Sequence, residues 1–198
     1  MSDITVRQAG EADLEALVPA YAKATADEAT NAWITAAGPV PEEAYLAHFT
    51  EALGRHLRTD RVLVAERDGR IEGVSIWIDV DGTERFHAEA DELAAMAAAT
   101  PLPLLRRAEA AMRLTAEHHP GDRPHVYLYA IAVVPEHRGA GAGGAMLRAG
   151  LAEPGGPAYL EASTPDSARL YRRFGFEETG RRLRLPEDGP ALIPMWRE

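Results

Sequence analysis

Apolar residues that recur with the period of a strand or a helix predict the first elements of the chain. Over residues 4–9, Ile4 and Val6 alternate with Thr5 and Arg7, which is typical of a half-buried β-strand. Elsewhere apolar residues recur three or four positions apart, which indicates one face of an amphipathic helix. Two such faces follow: Leu14, Leu17, Val18 and Tyr21, then Leu46, Phe49, Leu53 and Leu57.

Turn-forming residues divide the first half of the chain. Residues 24–41 end in a stretch with one glycine and two prolines and are predicted to be a loop. Two apolar runs flank Asp68-Gly69, which predicts a β-hairpin. Two more helices are expected at roughly 84–99 and 102–117, divided by Thr100-Pro101, a capping residue followed by a residue suited to the first helical turn.

The second half of the chain alternates strands and helices. The run "HVYLYAIAVV" at 125–134 is β-branched and aromatic, as in a buried central strand. A glycine cluster leads into a helix, and "GPAYLEA" predicts the next strand. Thr164 is expected to cap another helix, and Gly175 to end it. "FEETGRRLRL" and "ALIPMWR" predict a final hairpin around "PEDG", with Pro194 at an edge or a bulge.

This order of elements predicts the fold class. Strands and helices alternate in a way that favours one mixed sheet with helices on both faces, an α+β or three-layer α/β fold. We expect about six to seven strands. The sequence contains no convincing linker, and its 198 residues suit a single domain spanning residues 1–198.

Composition narrows the chemistry. The formal net charge is −10, so nucleic acid is not an expected partner, because phosphate contacts need a basic surface. The chain has no cysteine, which excludes disulfides and thiolate nucleophiles and fits a reducing cytoplasm. The start has no signal-peptide pattern and no apolar run is long enough to span a bilayer. We therefore expect a cytoplasmic protein with no membrane partner and no metal site.

Three ligands could use the glycine cluster "PEHRGAGAGGAML". Gly139, Gly141 and Gly144 match the dinucleotide pattern, and Glu161 lies about twenty residues on. That pattern is misleading here, because "PEHR" separates the strand from the first glycine and too little chain follows to complete the sheet. A triphosphate loop is also excluded, because Gly144 leads into Ala-Met rather than lysine and a hydroxyl.

The third ligand, an acyl-coenzyme A, fits the cluster. Residues without side chains allow a ligand to approach the backbone, and successive N–H groups at a helix start bind a diphosphate. Arg138 could add a charge-assisted contact. The buried strand just before it offers main-chain groups to an extended arm that contains amides. Coenzyme A has both a diphosphate and such an arm.

At these residues the chain resembles the GNAT superfamily of N-acetyltransferases. "IAVVPEHRGAGAGG" fits the R/Q-x-x-G-x-G/A signature of that superfamily, and "LYRRFGF" fits its L-Y-x-x-x-G-F motif. Within the superfamily, the length, the paired helices and "YLEASTPDSARLYRRFGF" are similar to puromycin N-acetyltransferase and its actinobacterial relatives. The resemblance implies a GNAT fold and acetyl-CoA as cosubstrate.

The resemblance also implies which residues bind the cofactor. Tyr171 would donate a proton to the coenzyme A sulfur, although it could also be a packing aromatic. Ser167 stands where many relatives have asparagine and could contact the cofactor arm. The remaining positions would present backbone groups to the arm, the acetyl carbonyl and the diphosphate: Ile131, Ala132, Val133, Arg138, Gly139, Ala140, Gly141, Ala142, Gly143 and Gly144.

The general base is not defined by a motif. Glu161, on a predicted strand, is a candidate, and a structural acid is an equally good interpretation. His125 and Tyr129 alternate on the central strand and could relay a proton, although a lone strand histidine is more often structural. Because the chain lacks cysteine, we expect direct transfer in a ternary complex rather than an acyl-enzyme.

Three functions remain open from the sequence. The leading hypothesis is acetylation of a primary amine on a small molecule, an antibiotic or a metabolite. The alternatives are an acetyltransferase for protein N-termini or lysines, and a non-catalytic acyl-CoA sensor. The sequence leaves open the acceptor, the acyl chain, and whether the protein is a monomer or a homodimer.

Overall fold

The computed structural model describes residues 3–100, 102–152 and 155–198. Its helices are α1 (Leu14–Thr25), α2 (Ala29–Thr35), α3 (Glu42–Thr59), α4 (Glu84–Ala99), α5 (Pro103–His118), α6 (Ala142–Ala152) and α7 (Pro165–Arg172). Its strands are β1 (Thr5–Gln8), β2 (Arg61–Arg67), β3 (Arg70–Val80), β4 (His125–Val133), β5 (Ala158–Ala162), β6 (Glu177–Glu178), β7 (Leu183–Arg184) and β8 (Ala191–Arg197). Within these described ranges, every helix is too short or too polar to cross a bilayer.

The residues group into two compact units. The first comprises Met1–Glu28, Pro41–Asp79 and Val126–Ala158. The second comprises Ala29–Val40, Val80–His125 and Tyr159–Glu198. Strands of the first unit follow the order β1-β2-β3-β4, and those of the second the order β5-β8-β6, with β7 also pairing with β8. The expectation of a single domain stays a prediction.

The predicted hairpin is present in the first unit. β2 and β3 pair antiparallel, with Arg67 opposite Arg70. Asp68 has φ 50° and Gly69 has φ 72°, which are the two positive φ values that a two-residue type I′ turn requires. The Asp-Gly pair therefore sets the register next to the turn, and the register shifts between Ala65 and Glu66.

Helices α1 and α3 cover one side of that sheet. Their predicted apolar faces are confirmed, because Leu17 and Leu53 are fully buried. They belong to one cluster with Val62, Val64 and Val74 of the strands. Burial of each such side chain is worth about 1.5–3 kcal/mol, so this cluster is a main source of stability for the first unit.

Helix α6 lies close to a tryptophan in the same unit. Trp77 is 1% exposed, and a Cβ built on Gly150 would lie 2.1 Å from its ring. Arg61 stacks 5.7 Å from the centroid of that ring and donates from Nη2 to the carbonyl of Gly150 at 2.9 Å. Gly150 therefore allows the helix to approach the indole.

The last hairpin of the second unit departs from the prediction. β6 and β7 are two short strands rather than one, and each pairs antiparallel with β8. The break lies beside Pro194, which has no N–H to donate to a ladder. Thr179 N still donates to the carbonyl of Pro194 at 2.9 Å. β8 has strands on both sides, so the expected edge position of Pro194 is wrong, and the pairing of β8 with β6 and β7 is interrupted beside Pro194.

The loop expected at 24–41 is partly wrong. α1 continues to Thr25, and α2 occupies Ala29–Thr35. The breaking residues, one glycine and two prolines, all follow Thr35, so they leave 29–35 free to form helix. At the other predicted division, α5 begins at Pro103, and Pro101 lies outside the described residues.

Candidate active site

The glycine cluster forms a left-handed turn between β4 and α6. Val134 N donates to the carbonyl of Glu72 at 2.8 Å, and a short 3₁₀ turn, Pro135–His137, follows. Gly139 has φ 78° and Gly141 has φ 98°, a region that residues with a Cβ rarely adopt. The glycines are therefore needed at these two positions for backbone conformation.

The main-chain N–H groups at the start of α6 face no helical acceptor. Ala145 N donates to Gly141 O at 2.9 Å, so the N–H groups of Ala142, Gly143 and Gly144 precede the first bond of the helix. Residues 138–141 are exposed, Ala142 is 1% exposed, and Gly143 and Gly144 are half-buried. A Cβ on Gly139 would meet no atom within 4 Å. This exposed backbone and its donors fit a diphosphate.

The predicted residues of β4 divide between two clusters. Ile131 and Val133 pack against the group that contains Met146 of α6. Ala132 lies with Ala24 of α1 and with Val134 in a second buried group. The strand is therefore fixed from both faces immediately before the glycine turn, which gives its backbone a defined position.

Arg138 is held by groups of the same unit. Its Nη1 and Nη2 atoms donate to the two carboxylate oxygens of Asp27 at 2.6 Å each. Nη2 also donates to Ala24 O at 3.2 Å, and Nε donates to Val133 O at 3.0 Å. The Asp27 contact raises the pKa of Arg138, and the guanidinium lowers the pKa of Asp27. The positive charge of Arg138, which was predicted to contact the diphosphate, is therefore already paired with the carboxylate of Asp27.

Helix α7 begins with the predicted cap. The hydroxyl of Thr164 accepts from Ser167 N at 3.1 Å, and Pro165 occupies the first turn. Ser167 Oγ donates to the carbonyl of Thr164 at 2.9 Å. The Ser167 hydroxyl thus takes part in the cap, and its contact with the cofactor arm stays a prediction.

The L-Y-x-x-x-G-F motif forms the end of α7. Gly175 has φ 86°, and its N–H donates to Arg172 O at 3.1 Å, while Phe176 N donates to Tyr171 O at 3.3 Å. These two bonds are a Schellman motif. The rings of Tyr171 and Phe176 pack edge to face at 6.1 Å. The motif thus ends the helix and buries Tyr171, which is 8% exposed.

Glu161 lies on β5, two residues after Tyr159, so both side chains point to the same face of the strand. Tyr159 is 1% exposed. Burial, and then the negative charge of Glu161, raise the pKa of Tyr159 above its ordinary value. Glu161 itself is partly buried. Its role as general base stays a prediction.

Two buried histidines form a pair that the sequence did not indicate. His119 Nε2 and His125 Nε2 are 3.1 Å apart. His125 Nδ1 lies 3.0 Å from the carbonyl of Arg123, so this nitrogen carries hydrogen and Nε2 accepts from His119. Burial, followed by the proximity of His125, lowers the pKa of His119 to about 3. This histidine is neutral at neutral pH.

The other proton-relay candidate has a packing role. Tyr129 stacks on His56 with ring centroids 4.9 Å apart, and His56 Nδ1 lies 2.7 Å from Asp60 Oδ2. Tyr129 also packs against the core cluster of the first unit. His125, in turn, packs against the rings of Tyr159 and Trp196.

Comparison with known families identifies the region that contains both motifs. Residues 106–178 match the family model described as Acetyltransferase (GNAT) domain. The match spans β4, the glycine turn, α6 and α7. This part of the chain is therefore similar to a GNAT acetyltransferase domain.

Solved structures with the GNAT fold are similar over nearly the whole chain. A histone acetyltransferase HPA2 and related acetyltransferase from Corynebacterium glutamicum is 27% identical, with TM-score 0.70, covering 100% of this chain and 96% of its own. A polyamine N-acetyltransferase from Drosophila melanogaster is 21% identical, with TM-score 0.69 and coverage of 98% and 99%. The PaiA N-acetyltransferase from Thermoplasma acidophilum, in complex with coenzyme A, is 13% identical, with TM-score 0.56 and 99% of both chains covered.

These comparisons confirm the predicted fold class. The GNAT fold combines a mixed sheet with flanking helices, and the described residues contain eight strands rather than the expected six to seven. The GNAT domain supports the predicted class of enzyme, an acetyl-CoA-dependent N-acetyltransferase. Within the described ranges, acidic and histidine side chains form no group of three or more that could hold a metal ion.

Contacts within the GNAT fold that join distant parts of the chain had no signal in the sequence. Asp27 and Arg138 are 111 positions apart, and Lys23 and Glu136 form a second ion pair between the same two segments. In the sequence, Asp27 cannot be distinguished from the other acidic residues. It lies beside Arg138 because Ala24 packs against the end of β4.

Proposed function

We propose that the protein transfers the acetyl group of acetyl-CoA to a primary amine of a small molecule, directly and in a ternary complex. The observation that carries this proposal is the exposed glycine turn at 138–141, which leads into the N–H donors at the start of α6 that have no partner within the helix. The GNAT domain match over the same residues supports it. Direct transfer is favoured because the chain has no cysteine to carry an acyl group.

The residues that would bind the cofactor divide into two sets. N–H groups from Gly139 to Gly144 hold the diphosphate, and backbone groups of 131–133 hold the arm and the acetyl carbonyl. Acetyl-CoA supplies an acetyl group activated as a thioester. A main-chain N–H aimed at the carbonyl oxygen stabilises the oxyanion, a term commonly worth about 3 kcal/mol.

Two proton transfers fall to side chains of β5 and α7. An alkylamine has a pKa of about 10 and arrives protonated, so a base has to remove a proton before the nitrogen attacks. We assign this step to Glu161, whose carboxylate lies on the same face of β5 as the buried Tyr159. Tyr171 donates its phenolic proton to the departing thiolate, and the second proton, lost by the nitrogen as the amide forms, restores the phenol. This role rests on the match of "LYRRFGF" to the superfamily motif.

Charge and structural neighbours favour a cationic small amine as acceptor. The net charge of −10 attracts cations. Neighbours with TM-scores of 0.69 and 0.70 include a polyamine N-acetyltransferase and an agmatine N-acetyltransferase. The similarity of "YLEASTPDSARLYRRFGF" to puromycin N-acetyltransferase extends the candidate acceptors to amine-bearing antibiotics. We place the reaction in the cytoplasm, where acetyl-CoA is available.

A protein amine is the second candidate acceptor. The neighbour from Corynebacterium glutamicum is named for a histone acetyltransferase and is 27% identical over the whole chain. A lysine side chain and a small alkylamine present the same nucleophile, so the chemistry of Glu161 and Tyr171 would serve either acceptor. The two candidate functions therefore differ in the acceptor and share one mechanism.

The test is release of thiol from acetyl-CoA in the presence of purified protein and a panel of amines. The panel contains agmatine, spermidine, arylalkylamines, puromycin and a lysine-rich peptide. With a small amine we expect a product heavier by about 42 Da, one acetyl in place of one hydrogen. With the peptide we expect little or no such product. Acetylation of the peptide alone would favour the second candidate. Binding of acetyl-CoA without product from any amine would indicate the sensor.

A further inference from the structure

Arg138, predicted to contact the diphosphate, is committed to partners of its own chain. A guanidinium has five N–H donors. Two bind Asp27, one binds the carbonyl of Ala24 and one binds the carbonyl of Val133. These four bonds leave a single N–H, on Nη1, for any other acceptor.

The partners of Arg138 belong to two elements that meet before the glycine turn. Val133 is the last residue of β4. Ala24 is 2% exposed, lies in the last turn of α1 and packs against Ala132 and Val134. Arg138 therefore ties the end of α1 to the end of β4, one residue before Gly139 adopts its left-handed conformation.

We propose that Asp27 is a positioning residue for cofactor binding. Its carboxylate fixes the guanidinium of Arg138 across the carbonyls of Ala24 and Val133, and this fixes the backbone that presents the N–H groups from Gly139 onward. Arg138 accordingly acts on the cofactor through the backbone it holds rather than through its charge. The inference rests on the proposed function, because it concerns the same diphosphate site.

An exchange of Asp27 for the diphosphate is the alternative, and the geometry disfavours it. Moving the guanidinium to a ligand would break a two-pronged carboxylate contact and two bonds to main-chain carbonyls at once. Charge-assisted bonds of this kind are about twice as strong as neutral ones. The backbone donors of the turn and the remaining Nη1 hydrogen can serve a diphosphate without that loss.

Binding of coenzyme A by calorimetry tests the assignment with four variants. Asp27→Asn removes the charge, and Arg138→Lys keeps a charge but cannot form the fork. We expect each to weaken binding about tenfold, and the double variant to be no weaker than either single variant, because both break one unit. Glu136→Gln breaks the ion pair with Lys23 between the same segments, and its binding should stay within about twofold.

Steady-state kinetics separates positioning from a general loss of structure. In Asp27→Asn, KM for acetyl-CoA should rise about tenfold, with kcat changed less than twofold. Acetyl-pantetheine lacks the diphosphate, so its kcat/KM should fall less than twofold. Asp27→Glu, which keeps a carboxylate, should recover part of the affinity. Thermal melts establish that each variant is folded at the assay temperature.

The outcomes distinguish this inference from the proposed function. If the natural protein neither binds coenzyme A nor releases thiol, both fail. If the natural protein binds and Asp27→Asn binds equally or more tightly, the positioning role alone is wrong. Retained affinity in Arg138→Lys, or an equal loss with acetyl-pantetheine, would also overturn it.

Discussion

At the scale of single residues, Tyr171 combines packing with a proposed proton transfer. Its ring contacts Phe176 and its carbonyl accepts from Phe176 N. Neither interaction uses the phenolic hydroxyl. The packing role and the acid role therefore depend on different atoms and can be separated by removing one oxygen.

Tyr171→Phe should lower turnover about tenfold or more, with little change in affinity for coenzyme A. The ring that packs on Phe176 remains, whereas the proton donor for the thiolate is lost. Turnover at saturating acetyl-CoA and calorimetric affinity are the two measurements. Tyr45→Phe, in the aromatic group around Phe49 on α3, is the matched control and should keep normal turnover. Unchanged turnover in Tyr171→Phe would refute the acid role.

The sequence predicts a residue's role in the site where a backbone conformation or a helix cap requires that residue type. Gly139, Gly141 and Gly175 were chosen from the sequence, and all three have positive φ. Thr164 was expected to cap α7 and does so. The partner of Arg138 was not predictable, because ion pairs between distant segments leave no periodic pattern. The contact of Ser167 with the cofactor arm stays a prediction from the resemblance, and its hydroxyl also bonds within the helix cap.

At the scale of elements, α6 approaches Trp77 of β3 at a glycine that leaves no room for a Cβ. A Cβ on Gly150 would lie within 2.1 Å of Trp77, and the indole N–H is already bonded to Ser75 Oγ at 3.0 Å. Arg61 covers the ring as well. The indole therefore has little freedom to move away from an added methyl group.

Gly150→Ala should destabilise the protein by about 2 kcal/mol, although alanine is the better helix former. Overpacking against Trp77 outweighs the gain of about 1 kcal/mol in helix propensity. Urea denaturation measures the difference. Arg148→Ala, at an exposed position of the same helix, should stay within about 0.5 kcal/mol. Greater stability in Gly150→Ala would show that the tryptophan side chain can yield.

Elements were predictable from the sequence where period and turn chemistry agreed. α3, α4 and the hairpin at Asp68-Gly69 lie where their apolar pattern and flanking residues placed them. The sequence does not predict α2, because the glycine and prolines at 38–41 indicate a loop but do not show where that loop begins. The division of one predicted strand into β6 and β7 depends on Pro194 in the neighbouring strand, which a local pattern does not include.

At the scale of the whole molecule, buried histidines make folding sensitive to acid. His119 and His125 are 7% and 5% exposed. Burial lowers the pKa of both, to about 3 for His119. In the unfolded chain each imidazole has its ordinary pKa of about 6.5. Between these values the unfolded state binds protons that the folded state does not.

Stability should therefore fall as pH drops from about 6.5 toward about 4, by up to about 1.4 kcal/mol per pH unit from His119. Urea denaturation at pH 7.5, 6 and 5 measures the slope. His119→Phe should reduce this slope, because its imidazole no longer titrates. His118→Gln, at the exposed neighbouring position, should keep it. A flat profile for the natural protein between pH 7 and 5 would contradict the assignment.

The heptapeptide "LYRRFGF" has a consequence for how this enzyme could lose its activity. Its left-handed glycine and the main-chain N–H of its final phenylalanine end the helix through backbone hydrogen bonds. A single base change converts a tyrosine codon to a phenylalanine codon, and it would leave the helix end and the ring that packs on Phe176 in place. A homologue with phenylalanine at this position could thus be an inactive but folded protein that binds acetyl-CoA. Its L-Y-x-x-x-G-F motif would differ at one position only.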